Sequence, residues 1–179
     1  MKGVGVNGSR YAIVNVLRSF GADIKVTNER EVCNEPVADI SVRGGLRQRG
    51  DTANRVNGDL IAGIIDEIPA LAVFGTQLDG GLEVRDAAEL RVKESDRIKT
   101  VVDNLRRMGA NVEEFDDGFA VRRSELKGAK IFPAGDHRIA MAFAVAGLFA
   151  DGTTEIEEAE CCDVSFPGFF DVLESVSYR

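Results

Sequence analysis

Two segments of the chain are apolar at nearly every position, and they suggest where its centre lies. They cover residues 59–78 and 139–149. A helix that is apolar all round is buried on all sides, so we expect these two at the middle of a domain with sheets outside them. The first segment contains Pro69, where we expect a break or kink.

Two other segments repeat apolar residues every three or four positions, which predicts amphipathic helices. The first starts at Ile13 and is closed by Gly21, and the second covers 96–108 and is closed by Gly109. Glycine after the last helical residue is a common C-terminal stop, and Ser95 is a suitable N-cap for the second helix.

Short alternating segments between the helices predict strands. They cover 23–27, 37–43, 82–85, 111–115, 118–122 and 153–158. Asp116 and Asp117 indicate a hairpin turn between two of them. We expect a polar turn at 28–33, a polar connection at 44–58 and a short final helix at 169–176.

Parts of the chain resemble one another at fixed offsets, which predicts a fold built from internal repeats. Residues 72–75 match 144–147 at an offset of 72, and residues 17–22 match 105–110 at an offset of 88. The first unit begins near Val4 with no strand expected before its helix. We therefore interpret residues 1–179 as one α/β domain that is truncated at its amino end, with an unusual natural start as the alternative.

Composition narrows the possible partners. The chain has 179 residues and a net charge of -8, which argues against nucleic acid as the main partner. No apolar run approaches the length of a membrane span and the opening residues lack the apolar core of a signal peptide, so we expect no membrane partner. Three cysteines, two of them adjacent, make a disulfide framework improbable and favour a cytoplasmic location.

The acidic run 151–163 predicts solvated carboxylates rather than a metal site.

The stretch Leu90–Arg97 is the best candidate for chemistry. Lys93 and Glu94 precede the amphipathic helix, and Arg97 falls in its first turn beside unpaired backbone N–H groups. Such a position suits an anion. From these residues alone, a solvated helix cap with surface ion pairs is the simpler interpretation.

Five stretches that follow one another along the chain favour a functional site over a solvated helix cap, since together they resemble one family. They are residues 4–10, 65–72, 90–97, 135–142 and, more weakly, 165–170. The stretches resemble the 5-enolpyruvylshikimate-3-phosphate synthases, also called 3-phosphoshikimate 1-carboxyvinyltransferases, and the resemblance covers only the carboxy-terminal domain. It implies the inside-out α/β barrel of the enolpyruvyl transferases, with buried helices surrounded by short-stranded sheets.

The resemblance also implies a reaction. The enolpyruvyl group of phosphoenolpyruvate passes to the 5-hydroxyl of shikimate 3-phosphate through a tetrahedral intermediate, and phosphate leaves, with no metal or other cofactor. The active site lies between two domains, so this chain would supply half of it and need the missing amino-terminal domain as partner. Two alternatives stay open: a UDP-N-acetylglucosamine enolpyruvyl transferase, and a non-catalytic anion-binding module of the same fold.

The resemblance assigns roles to five residues. Asp66 would contact the shikimate hydroxyls and accept a proton, Lys93 would stabilise negative charge there, and Glu94 would move the proton at the methylene carbon. Which of Asp66 and Glu94 acts in which proton transfer is left open. Arg97 and Arg138 would hold the phosphoenolpyruvate carboxylate, since a planar guanidinium can bind two oxygens at once.

Neighbouring positions receive supporting roles. Asp136 and His137 are expected to orient the residues that contact substrate, although a catalytic role for the only histidine is the alternative. Arg10 is interpreted as structural. Some family members carry a phosphate-contacting lysine where this chain has Val164, so that contact must come from elsewhere or the chain belongs to a subgroup without it.

Overall fold

The computed structural model describes residues 1–8, 11–46 and 54–177. Its helices are α1 (Ala12–Ser19), α2 (Leu60–Ile64), α3 (Ile68–Gly75), α4 (Arg97–Arg107), α5 (His137–Gly147) and α6 (Phe169–Val176), with 3₁₀ helices at Ala88–Val92 and Ala159–Val164. Its strands are β1 (Val4–Gly5), β2 (Asp23–Val32), β3 (Glu35–Arg43), β4 (Asn54–Val56), β5 (Leu82–Val84), β6 (Val112–Phe115), β7 (Gly118–Val121), β8 (Lys130–Ile131) and β9 (Glu155–Ile156).

Helices α3 and α5 form the centre, as the two apolar segments predict. They pack against each other, and more than half of the residues in each are buried. The break in the first segment spans residues 65–67 and therefore precedes Pro69. Pro69 lies in the first turn of α3, where its missing N–H leaves no helical hydrogen bond unmade.

The described residues form three small sheets outside these helices. β1-β3-β2 is antiparallel, β4-β5-β7-β6 has one parallel pair at β4-β5, and β8-β9 is parallel. Val84 and Phe119 pair across β5 and β7, and their side chains are fully buried in the common core. The predicted hairpin at 111–122 is confirmed, with Asp116 and Asp117 at its turn.

The internal repeats are confirmed in the geometry of the helix ends. Gly21 follows α1 with φ +97°, and Gly109 follows α4 with φ +82°. After each glycine an alanine N–H donates to a leucine carbonyl five residues earlier, at 3.0 Å after α1 and 2.9 Å after α4. Both helices therefore stop by the same hydrogen-bonded motif, in which glycine adopts the left-handed conformation at least cost.

The polar turn predicted at 28–33 is wrong. β2 continues to Val32 with an irregularity between Thr27 and Arg30, and the chain turns at Cys33 and Asn34, which both have positive φ. The side chains of 27–32 are all exposed. A strand exposed on both faces lacks the one-sided apolar alternation from which strands are recognised.

Three other expectations need correction. β1 does precede the first helix, and it pairs with β3. Residues 54–56 of the predicted connection form β4, whereas 47–53 lie outside the described residues, as does Arg10. The strand predicted at 153–158 is limited to Glu155–Ile156.

Two features are absent from the described part of the chain. It contains no helix that is both long enough and apolar enough to span a membrane. Nor does it contain a cluster of three or more histidine, cysteine or acidic side chains that could ligate a metal ion.

Candidate active site

A buried arginine lies at the centre of a charged cluster where the amino-terminal ends of α4 and α5 meet. The Arg97 side chain is only 1 % exposed, and it contacts three carboxylates. Its Nε donates to Asp136 Oδ2 at 2.7 Å, its Nη1 to Asp66 Oδ1 at 3.1 Å and its Nη2 to Glu94 Oε2 at 2.5 Å. One guanidinium thus connects three separate segments of the chain.

Each of the two helices starts at a capping aspartate. Asp96 caps α4 by accepting from the Lys99 N–H at 3.0 Å, and Asp136 caps α5 by accepting from the Arg138 N–H at 3.0 Å. The prediction of Ser95 as the N-cap is therefore wrong. The Ser95 hydroxyl instead donates to Asp136 Oδ2 at 3.1 Å.

Asp136 is completely buried and joins these contacts. One of its oxygens accepts from Arg97 and Ser95, while the other caps α5. Burial acts to lower the pKa of Arg97, but the hydrogen bond and charge of Asp136, the charge of Glu94 and the hydrogen bond to Asp66 outweigh it and raise that pKa. The guanidinium is therefore held in its charged form.

Asp66 lies in the break between α2 and α3 and contacts two arginines at once. Its Oδ2 is 3.2 Å from Arg138 Nη2, and its backbone carbonyl accepts from Arg138 Nη1 at 3.2 Å. Its Oδ1 is the oxygen that contacts Arg97. The break in the helix therefore turns Asp66 toward the start of α5.

Lys93 and Glu94 lie on the loop before α4, as expected. Glu94 is 53 % exposed although it contacts Arg97, whereas Lys93 forms an ion pair with Glu89 on the preceding 3₁₀ helix. His137 is the half-buried first residue of α5. The structure thus joins five of the seven candidates in one network, leaves Lys93 on the same loop with another partner, and sets His137 beside the network.

Sequence reasoning missed two members of this region. Ser95 was expected to cap α4, and its contact with Asp136 lies 41 residues away in sequence. Arg91 carried no signal beyond its charge, yet its guanidinium binds both Asp96 and the β6-β7 turn.

Val164 ends the second 3₁₀ helix and is 83 % exposed.

Buried helices ringed by small sheets, with guanidinium and carboxylate groups at two helix starts, define an α/β protein whose site is suited to anions. A family model described as EPSP synthase (3-phosphoshikimate 1-carboxyvinyltransferase) matches residues 1–173. The chain belongs to this family.

The similar proteins agree with one another. A 3-phosphoshikimate 1-carboxyvinyltransferase of Pelotomaculum thermopropionicum is 53 % identical over 98 % of this chain and 40 % of its own length. A 3-phosphoshikimate 1-carboxyvinyltransferase of Geobacter sp. strain M21 is 46 % identical over 100 % of this chain and 41 % of its own length. A structure of EPSP synthase from Acinetobacter baumannii superposes with a TM-score of 0.90 at 34 % identity, over 99 % of this chain and 41 % of that one. The expected inside-out α/β fold is confirmed, and the chain spans about two fifths of the length of the curated relatives it matches.

Proposed function

We propose that the protein to which this chain belongs transfers the enolpyruvyl group of phosphoenolpyruvate to the 5-hydroxyl of shikimate 3-phosphate and releases phosphate. The observation that carries the proposal is the network in which Arg97 and Arg138 share Asp66, with Glu94 at its exposed edge. Both substrates are anions that need cations, and the reaction needs carboxylates to move protons. The family match favours shikimate 3-phosphate over a nucleotide sugar as co-substrate.

The proposed chemistry has two halves. In the addition half, the 5-hydroxyl oxygen bonds to the central carbon of phosphoenolpyruvate while the methylene carbon gains a proton. In elimination, a proton leaves the resulting methyl group and phosphate departs, so the enol ether forms. Asp66 accepts the proton of the 5-hydroxyl, and Lys93 stabilises the charge that develops at the hydroxyl oxygen. Glu94 moves the proton at the methylene carbon.

Arg97 and Arg138 hold the carboxylate of phosphoenolpyruvate in this proposal. Because Arg97 is buried beneath its own carboxylates, the incoming anion takes the place of one of them. Glu94 is the one to leave, since it is half exposed, whereas Asp136 is fully buried. Binding then frees the Glu94 carboxylate for proton transfer, with Asp136 and His137 keeping the starts of the helices in position.

In this proposal residues 1–179 form a single domain that supplies one half of the site. We propose that it is inactive by itself, since positioning two anionic substrates requires groups from a facing domain. An amino-terminal domain of the same enzyme is therefore its partner. A cytoplasmic location belongs to the same proposal, because Cys33, Cys161 and Cys162 are all free thiols.

The test is phosphate release from phosphoenolpyruvate and shikimate 3-phosphate. The chain is assayed alone, and mixed with a separately produced amino-terminal portion of the Pelotomaculum relative, after association has been shown by gel filtration. We expect turnover only in the mixture. Glu94→Gln should lower it by about 100-fold or more, since general acid–base groups contribute 10²–10⁴-fold.

Glu113→Gln is the matched control, because Glu113 is an exposed carboxylate on β6, outside the network. This variant should retain full turnover. Equal activity of Glu94→Gln and wild type in the mixture would refute the assigned role, and turnover by the chain alone would refute the half-site proposal. An inactive mixture that does associate would favour a non-catalytic module.

A further inference from the structure

Arg91 connects the loop that carries Lys93 and Glu94 to a neighbouring hairpin. Its Nε donates to the Asp116 carbonyl at 2.8 Å, and its Nη2 donates to the Phe115 carbonyl at 2.7 Å and to Glu114 Oε1 at 3.1 Å. Its Nη1 donates to Asp96 Oδ2 at 2.9 Å. All three nitrogens of this guanidinium are therefore in use, none of them toward the network around Arg97.

The ion pair between Arg91 and Asp96 joins the two ends of the loop that carries Lys93 and Glu94. Arg91 lies in the last turn of the 3₁₀ helix, and Asp96 is the N-cap of α4, so their ion pair spans the four residues between them. Val92 is 80 % exposed and packs into no core. The position of Lys93 and Glu94 thus depends on polar contacts rather than on apolar packing.

The matching segment at the offset of 72 shows that the fold does not itself require this arginine. At the offset of 72, Arg91 and Asp96 correspond to Asp163 and Gly168. There the same span is closed by one hydrogen bond, from the Gly168 N–H to Asp163 Oδ1 at 3.3 Å. The extensive arginine contacts belong to the repeat that holds the candidate catalytic residues.

Lysine could not reproduce these contacts, because they use the planar, forked geometry of a guanidinium with five donors. Burial acts to lower the pKa of Arg91, but hydrogen bonds and charges from Asp96 and Glu114 outweigh it and raise that pKa. The guanidinium is therefore held in its charged form.

We propose that Arg91 is a positioning residue which holds the Lys93–Glu94 loop against the β6-β7 hairpin. Its consequence for the reaction rests on the proposed function, whereas its effect on the loop does not. Removing it leaves the contacts of Arg97 with Asp66 and Asp136 in place but lets the loop that carries Lys93 and Glu94 move. Displacement of a reacting group by about 1 Å can cost about 100-fold in rate.

Hydrogen–deuterium exchange of the peptide covering 90–97 tests the effect on the loop. In Arg91→Gln and Arg91→Lys we expect exchange there to accelerate at least about tenfold, because charge-assisted hydrogen bonds are lost, with the buried helix α5 unchanged. Arg106→Gln is the matched control: it removes the same charge from α4, where Arg106 makes only an exposed contact with Asp103, and exchange should stay as in wild type.

Activity of the mixture described above tests the consequence. For both Arg91 variants we expect kcat to fall at least about tenfold while KM for phosphoenolpyruvate changes less than about threefold, since Arg97 and Arg138 remain. Unchanged exchange in a folded Arg91→Gln protein, exchange raised throughout the chain, or full recovery by lysine would each overturn the proposal. If the wild-type mixture is inactive, the proposed function fails, and exchange still decides the role of Arg91.

Discussion

Replacing Asp136 by asparagine tests whether its carboxylate stabilises the fold as the geometry implies. Oδ1 accepts from the Arg138 N–H, and Oδ2 accepts from Arg97 and Ser95. Both oxygens are therefore acceptors facing donors. In either orientation an asparagine amide sets an NH₂ group against a donor, and the variant also removes the negative charge from a fully buried pair.

The expected loss follows from what remains buried. Breaking a buried ion pair costs about 3–5 kcal/mol, because the other charge loses its compensation. Arg97 keeps Asp66 and Glu94 as partners, which places the expected loss of unfolding free energy at the lower end, about 3 kcal/mol. For a chain of this size that corresponds to a decrease in Tm of roughly 6–12 °C.

Urea unfolding followed by circular dichroism measures the loss, with Asp103→Asn as control. Asp103 makes only exposed ion pairs with Lys99 and Arg106, so its loss should cost less than about 1 kcal/mol. The Asp136 effect should also persist in 1 M NaCl, because a buried pair is screened much less than a surface pair. An Asp136→Asn loss no larger than that of the control would refute the reasoning.

Two further predictions use shifted pKa values. Burial raises the pKa of Cys162 to about 11, so at pH 8 only about a thousandth of it is thiolate, and iodoacetamide should label it far more slowly than the exposed Cys33, as read by mass spectrometry. The pKa of Asp117 is lowered below 3.8, first by a hydrogen bond from the Asp86 N–H. Its stabilisation is thus present above pH 3.8 and lost as the pH falls through the lower folded-state value, so Asp117→Asn should be less stable at pH 7 and approach wild type in acid.

Each of these predictions has an internal control. In urea, Cys162 should react as fast as Cys33, and slow labelling there would mean that burial is not the cause. For the acid experiment, Asp116→Asn removes a neighbouring exposed carboxylate from the same turn. An equal response of the two asparagine variants would contradict the assignment to Asp117.

The helices follow from the sequence to a greater extent than the strands, because apolar periodicity reports directly on burial. The final helix was predicted at 169–176 and is observed at those bounds. The end of β2 was not predictable, because its exposed polar residues carry no one-sided pattern. Its pairing with β3 depends on backbone hydrogen bonds, which leave no mark on side-chain composition.

The sequence places Arg97 and Arg138 at helix starts but does not show what they contact. Arg97 was predicted in the first turn of a helix, which is confirmed. Its burial could not be predicted, because it comes from Asp136, 39 residues later, and from Asp66, 31 residues earlier. Such contacts are set by how α3, α4 and α5 pack, and local patterns do not report packing between distant segments.

One contact could have been found by comparing the repeats. Asp66 and Arg138 occupy matched positions at the offset of 72, and they form an ion pair with 3.2 Å between Asp66 Oδ2 and Arg138 Nη2. The repeat brings the starts of α3 and α5 together, so identical charged residues at both positions would set like charges against each other at a half-buried place. A charged residue is tolerated there only if the two copies carry opposite signs. A reversal of charge at matched positions of a repeat therefore identifies a contact, and here it leads to the residues proposed to bind the substrate.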